Sequence, residues 1–270
     1  MIAPEPLAAS VRTEEDVLRY LRETVSATRL TLFLQCRLKF YFRYVLQLEK
    51  PKSAALHVGG SVHAALRAWN KARWRKAPLT TEQLRSEFLS AWENEDHAKV
   101  CWDGEEAKQR QMSWSLVETY LRETTVPPDE PPDAVEVPIE ADLSPEGLPK
   151  LIGVLDLVQA GTIVDYKTSA TTPNSEKAAH LNEIQVSSYA VLYREATGKL
   201  ETGTEVHTLV KLKTPKLVVT PMGPVSGGQK ARLFHLIESY VTGIERQDWI
   251  PSPGLQCAVC EYFDECRLWQ

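Results

Sequence analysis

Gly153-Val-Leu-Asp156-Leu-Val158, the pair Ala160-Gly161, then Val164-Asp165-Tyr166-Lys167-Thr168 is the stretch that decides the fold. Leu151 to Val158 and Thr162 to Tyr166 read as two short strands turning around Ala160-Gly161. Strand side chains alternate, so Asp165 and Lys167 project together and Tyr166 points to the other face. If the strands pair as a hairpin, Asp156 joins them. Two neighbouring carboxylates repel, and burying them uncompensated is costly. A divalent cation removes that cost, and oxygen ligands of this kind suit Mg²⁺ or Mn²⁺. Such an ion polarises a phosphoryl oxygen and lowers the pKa of bound water. Lys167 would orient that water or stabilise charge growing on a phosphate. Alone, an Asp-x-Lys triplet is equally an ion pair at a sheet edge.

Upstream, Ala134 to Leu143 alternates as a strand, with Val135, Val137 and Ile139 on one side and Glu136, Pro138 and Glu140 on the other. The proline-rich connector Val126 to Asp133 precedes it and cannot continue a helix. Val58 to Thr125 is almost wholly helical in period, with His63, Leu66, Trp69 and Asn70 sharing one face. A helix is expected from about Ser26 to Leu48, rich in aromatic residues and ended by Pro51. Thr13 caps a short helix before it, with Asp16 completing a near capping box. Downstream, a helix runs from about Ser175 to Thr197 with Gly198 as C-cap. His207–Leu212 and Leu217–Thr220 form a further strand pair, and a last helix spans about Gly227 to Arg246. Helices flanking a compact mixed sheet give an α/β fold without internal repeat.

The 270 residues are 43% hydrophobic and 25% charged, ordinary values for a globular protein. No apolar run approaches the roughly 18 residues of a membrane span. The first residues lack the basic start and apolar core of a signal peptide, so the cytoplasm is the expected location. The net charge of −5 argues weakly against nucleic acid as partner, but phosphate contacts are local. Basic clusters occur at Arg37, Lys39 and Arg43, at Arg67, Lys71, Arg73, Arg75 and Lys76, and at Lys211, Lys213 and Lys216. Any one of them is also readable as a solvated helix face.

Further polar residues sit where they could join the carboxylates. His63 lies on an early helix in Gly59-Gly60-Ser-Val-His63. Glu140, or less favourably Glu136, lies on the preceding strand. Gln185 and Tyr189 are four apart on the helix after the strands and so share a face. Cys36 stands alone near the start, while Cys257, Cys260 and Cys266 close the chain as Cys-x2-Cys-x5-Cys, and Cys101 is left over as an ordinary buried thiol. In a reducing compartment clustered thiols point to a metal or cluster, either zinc or [4Fe–4S].

Taken in order, these motifs resemble the RecB-type branch of the PD-(D/E)XK nucleases, related to nuclease domains of bacterial recombination enzymes and CRISPR adaptation nucleases. The matching order is the aromatic-rich Cys helix (Leu30 to Leu48), Gly-x-x-x-His (Gly59 to His63), Gly-x-x-Asp (Gly153 to Asp156), Asp-Tyr-Lys-Thr (Asp165 to Thr168), Gln-x-x-x-Tyr (Gln185 to Tyr189) and clustered cysteines. The joint order is far more specific than any single motif.

The resemblance implies a restriction-endonuclease-like mixed sheet flanked by helices, forming one nuclease domain over residues 26–270 after a lead and short helix at 1–25. Residues 64–125 would be a helical insertion, and 251–270 a cysteine-rich tail joined to Cys36 through a [4Fe–4S] cluster held by Cys36, Cys257, Cys260 and Cys266. Zinc remains the competitor there. His63, Asp156, Asp165 and the Tyr166 carbonyl would hold Mg²⁺ or Mn²⁺. Lys167 would be the catalytic lysine, with Gln185 and Tyr189 placing it or the DNA backbone, and Glu140 has no firm counterpart. The segment Ala170 to Glu183 is shorter than the family pattern.

The implied activity is metal-dependent DNA cleavage, as an exonuclease, in repair, recombination or CRISPR-type defence. A helicase or CRISPR integrase is the expected partner, because no phosphate-binding G-x4-G-K-[ST] loop is present. The basic helices would guide the strand, and Tyr41, Tyr44, Trp69 and Trp74 are candidates to stack on unpaired bases. A non-catalytic DNA-binding or assembly subunit is the alternative, but it predicts a broken ligand set. A metal-binding scaffold in a larger complex is a third reading, kept because of the acidic net charge.

Overall fold

The computed structural model describes residues 13–94 and 96–270, so the expected lead lies outside the described residues apart from Thr13. The chain begins with α1 (Glu14–Glu23), β1 (Thr24–Val25), α2 (Ala27–Gln35) and α3 (Arg37–Phe40), the last continued by a π turn at Tyr41–Val45. Next come β2 (Lys52–Ser53), α4 (Ala54–Trp74), α5 (Thr81–Trp92), β3 (Val100–Cys101) and α6 (Glu106–Glu123). The strand-rich part holds β4 (Ala134–Ala141), β5 (Lys150–Gln159), β6 (Thr162–Ser169), α7 (Ser175–Leu181), α8 (Glu183–Thr197), β7 (Gly203–Val210) and β8 (Lys216–Met222). Helices α9 (Gly227–Glu245) and α10 (Phe263–Leu268) close it.

These elements fall into two compact units. The first comprises residues 51–139 and 154–225. Its sheet runs β5-β6-β7-β8, with β4 also on β5. Strand β6 is antiparallel to β5 and parallel to β7, so the sheet is mixed as expected. Ala160 and Gly161, at φ 50° and 75°, make the tight turn between β5 and β6. That hairpin pairs Leu157 with Val164, which leaves Asp156 and Asp165 next along the two strands, at the end of the ladder. The core beneath joins Val62, Leu66, Phe88, Trp92, Val117 and Tyr120 of the helices to Leu157, Val164 and Tyr166 of the sheet.

Two local readings change within this unit. The alternation expected through β4 breaks at Glu136, which takes a left-handed φ of 45°. Val137 is consequently turned outward instead of into the core. The helix expected over 175–197 is two helices broken at Asn182, while Gly198 caps the second in the left-handed conformation, as predicted.

The second unit comprises residues 4–50, 140–153 and 226–270, of which 13 onward are described. Thr13 and Asp16 form the capping box read from the sequence. Strand β1 pairs in parallel with the first residues of β5. The single helix expected from Ser26 to Leu48 is instead interrupted at Cys36, which is extended at φ −163°, ψ 109°. Cys36 thereby caps α3, its sulfur accepting the Lys39 N–H at 3.5 Å. Phe33, Phe40 and Tyr240 pack edge to face around the buried middle of α9.

The approach of α2 to α9 needs a glycine. A Cβ on Gly243 would lie 2.3 Å from Cζ of the fully buried Phe33 ring. Gly243→Ala is therefore expected to cost about 1–3 kcal/mol through overpacking, read as a lowered urea midpoint. An unchanged midpoint would mean that the Phe33 ring can shift.

Candidate active site

Helix α4, strands β5 and β6 and helix α8 bring the predicted residues to one place. Asp156 and Asp165 come from adjacent strands and are 4% and 2% exposed. Asp156 Oδ2 accepts the Tyr166 N–H at 3.0 Å, and its Oδ1 lies 3.7 Å from His63 Nδ1. The other His63 nitrogen, Nε2, is 2.9 Å from the Tyr166 carbonyl. A Cβ on Gly59, one turn before His63, would touch Thr168 Oγ1 at 3.4 Å, so the missing side chain lets α4 lie close to β6.

Lys167 occupies the same side of β6 as Asp165. Its ammonium stands 2.9 Å from Asp165 Oδ2 and donates to Gln185 Oε1 at 2.8 Å. Gln185 turns its amide to donate to Asp165 Oδ1 and to the Tyr189 hydroxyl, each at 2.8 Å. One amide thus fixes the lysine, a carboxylate and a phenol. The step of four along α8 is what aligns Gln185 with Tyr189.

The two carboxylates differ electrostatically. Burial alone would raise Asp156, but the His63 ring, the Tyr166 N–H and Lys167 hold it below the usual carboxylate value. Asp165 is raised, by burial first, with Lys167 opposing and the charge of Asp156 adding to the rise. Burial and the two carboxylates also push Tyr189 well above the ordinary phenol range, so it stays protonated.

Whether this donor set fits a cation is testable on one atom. Asp165 Oδ2 is buried and meets the Lys167 ammonium at 2.9 Å, with no other hydrogen-bond donor on it among the described residues. A buried carboxylate oxygen with an unused lone pair, beside a second carboxylate, an imidazole and a main-chain carbonyl, is a hard-ligand set of the kind Mg²⁺ or Mn²⁺ takes. The residues fit. Among the described residues no three His, Cys, Asp or Glu side chains already form a closed metal-holding group.

The opposite face of Tyr166 holds residues that no sequence motif marked. Its hydroxyl accepts from Asn70 Nδ2 at 2.9 Å and lies 3.3 Å from the Tyr120 hydroxyl. His207, beside Tyr166 in the sheet, reaches Tyr120 at 3.3 Å and Glu205 at 2.7 Å. These partners fix the strand whose Tyr166 carbonyl and amide meet His63 and Asp156. Only the period-three-to-four placement of Asn70 on the His63 face hinted at it. Glu140 pairs with Lys150 at the surface, and Glu136 pairs with Arg67.

Several proposed strand contacts are corrected. Arg73 is buried, not solvated, and donates to the carbonyls of Pro127, Pro128 and Glu130 and to Asn70 and Gln159. Tyr44 is in the core, Trp69 packs on Tyr120, and Tyr41 stacks on Trp249. Cys101 is exposed and not a buried thiol. In the second unit, Arg37 and Lys39 are paired with Asp248 and Glu261.

The cysteines of the second unit are all unpaired thiols. The Cys266 thiol is raised by burial and then by Cys36, Cys260 and Cys257, which places each of those three within electrostatic reach of Cys266, although among the described residues no cysteine group is close enough to form a metal site. The Gly254 N–H points at Cys257 Sγ at 3.4 Å.

A mixed sheet flanked by helices, with two carboxylates and a lysine at the end of one hairpin, defines a phosphodiesterase-type site. Residues 24–267 match the PD-(D/E)XK nuclease superfamily, and the chain belongs to it. Nucleases of this superfamily generally use divalent metals such as Mg²⁺ or Mn²⁺. The fold is similar to that of a protein from Eubacterium rectale described as a "Putative exonuclease", at 15% identity and a TM-score of 0.58, covering 97% of this chain and 94% of that one. A second structure, SSO0001, aligns at 12% identity over 88% of this chain and 94% of its own, with a TM-score of 0.33. No curated protein matches the sequence. Among the described residues no helix is long and apolar enough to cross a membrane.

Proposed function

We propose that the chain is a Mg²⁺- or Mn²⁺-dependent DNA nuclease of the RecB-like branch, acting as an exonuclease. The observation that carries this reading is the buried Asp165 carboxylate, paired with Lys167 at 2.9 Å and set beside Asp156 and His63 with an Oδ2 lone pair left for an ion. His63, Asp156, Asp165 and the Tyr166 carbonyl would hold the ion, which would supply Lewis acidity toward a phosphoryl oxygen and a more acidic water. Lys167 presents its ammonium to the attacked phosphate and its water, where it offsets developing negative charge. Gln185 orients that ammonium, and the protonated Tyr189 anchors Gln185. Repair, recombination or CRISPR-type defence would be the setting, with a helicase or integrase as partner. The test is cleavage of end-labelled DNA by anaerobically purified protein with Mn²⁺. Release of labelled ends supports the reading, and intact DNA with a metal-loaded protein would overturn it in favour of a binding subunit.

We further infer a [4Fe–4S] cluster on Cys36, Cys257, Cys260 and Cys266, with zinc as competitor. The electrostatic reach of Cys36, Cys257 and Cys260 to Cys266 and the N–H groups aimed at two of the sulfurs support it. The cluster would link α3 to a tail whose Leu255 and Val259 are exposed, adding folding free energy there. Cys260→Ala is expected to give colourless, poorly soluble protein. Iron and sulfide content equal to wild type in a soluble variant would remove the cluster from this site.

A further inference from the structure

Helix α4 ends by reversing the usual order of burial. Arg73 is 6% exposed and bonded on all sides, while its neighbour Trp74, a large aromatic, is 57% exposed. The hydrophobic effect alone would favour the opposite, so the buried guanidinium fixes the helix register that keeps the indole in water. Of the four aromatic residues that the sequence offers near basic clusters, Trp74 is the one with a free face.

Trp74 also stands on a stripe that begins in the active site. His63, Arg67, Lys71 and Trp74 follow steps of four, four and three, which keep them along one side of α4. Arg67 is partly neutralised by Glu136 at 2.8 Å. Among the described residues no carboxylate pairs with Lys71. From His63 to Trp74 is 74 − 63 = 11 residues, about 16 Å of helix. That is on the order of five nucleotides at duplex spacing, and fewer for a stretched strand.

We propose that Trp74 is a base-stacking platform and Lys71 a phosphate contact for unpaired DNA, forming with Arg67 a track that leads the strand to His63. A cation followed by an exposed indole suits a chain of alternating phosphates and flat bases, and stacking on one ring is indifferent to sequence. A duplex keeps its bases stacked inside and offers Trp74 no free face. The inference rests on the nuclease reading only in that His63 marks where the strand arrives.

The test is fluorescence anisotropy of labelled oligo-dT and of a blunt duplex, with Ca²⁺ in place of the cleaving ion. Wild type, Trp74→Ala, Trp74→Phe and Lys71→Ala are compared, each checked for an unchanged melting temperature. Trp74→Ala is expected to weaken oligo-dT binding about tenfold or more, with Trp74→Phe retaining most of it. Lys71→Ala is expected to lower the salt slope by about 0.7. Duplex binding should change little in the Trp74 variants. Equal affinity of wild type and Trp74→Ala for oligo-dT would overturn the proposal and leave the indole to a protein partner. Equal losses on dT and duplex would overturn the stacking role. Chemistry is read separately, by Mn²⁺-dependent cleavage of end-labelled DNA at saturating protein. No cleavage together with Trp74-dependent dT binding defeats the nuclease reading and leaves the track standing.

Discussion

Lys167→Ala is expected to lose DNA cleavage by roughly 10²–10³-fold or more in kcat while keeping its fold and its affinity for Mn²⁺. The loss follows from the position of the ammonium, which Gln185 at 2.8 Å and Asp165 at 2.9 Å hold beside the carboxylates. The retained fold follows from Asp165 itself. Removing one partner of a buried ion pair costs about 3–5 kcal/mol when the other charge stays bare. Burial already raises the Asp165 carboxyl and Lys167 opposes that rise, so removing the lysine favours the protonated form and lessens the bare charge. The cation replaces that proton, so Mn²⁺ binding survives by the same logic. End-labelled DNA cleavage and Mn²⁺ titration calorimetry on the same preparation check both halves. Cleavage at the wild-type rate would remove Lys167 from the chemistry, and loss of Mn²⁺ binding along with it would make the lysine structural.

Mn²⁺ is expected to raise the melting temperature, by several degrees at a hundredfold excess over Kd, about 2.7 kcal/mol of linkage. The gain should grow as pH rises. Without the ion, the raised Asp165 contributes stability below the ordinary carboxylate pKa and loses it as pH climbs through its raised value. The lowered Asp156 has the opposite sign: its contribution is present above the ordinary value and is lost as pH falls through the lowered one. The cation and the proton compete for the Asp165 carboxylate, whose burial favours the proton. Affinity therefore climbs with pH until Asp165 is ionised without help, then levels. Differential scanning fluorimetry from the ordinary carboxylate value upward in pH, with and without Mn²⁺, reads this directly. A gain independent of pH, or one that survives in Asp156→Asn, would mean that the ion sits elsewhere.

The site and the framework differ in how far the linear pattern carried them. Asp165 and Lys167 were legible together because a strand repeats every two residues, and Gln185 with Tyr189 because a helix returns every four. Asp156 needed one further step, the hairpin at Ala160-Gly161, whose turn chemistry is local. The Cys36 break was hidden, because Leu30 to Leu48 keeps a helical period across it and period says nothing about an extended residue used as a cap. Glu136 was hidden for a similar reason: alternation does not reveal a left-handed φ.

By itself the sequence determined the α/β class, through spacings of a few residues that backbone geometry enforces, and the order of its motifs pointed to the superfamily that the family match shows. Only the tertiary structure decided how those residues are charged and which cations are free. Asp156 and Asp165 are the same residue type, yet the His63 ring from a distant helix helps hold Asp156 low, while burial and the charge of Asp156 raise Asp165. Arg73 and Trp74 are adjacent, yet packing from Asn70, Gln159 and the proline-rich connector buries the cation and leaves the indole outside. Burial and charge depend on what distant segments bring together, and no local period encodes that.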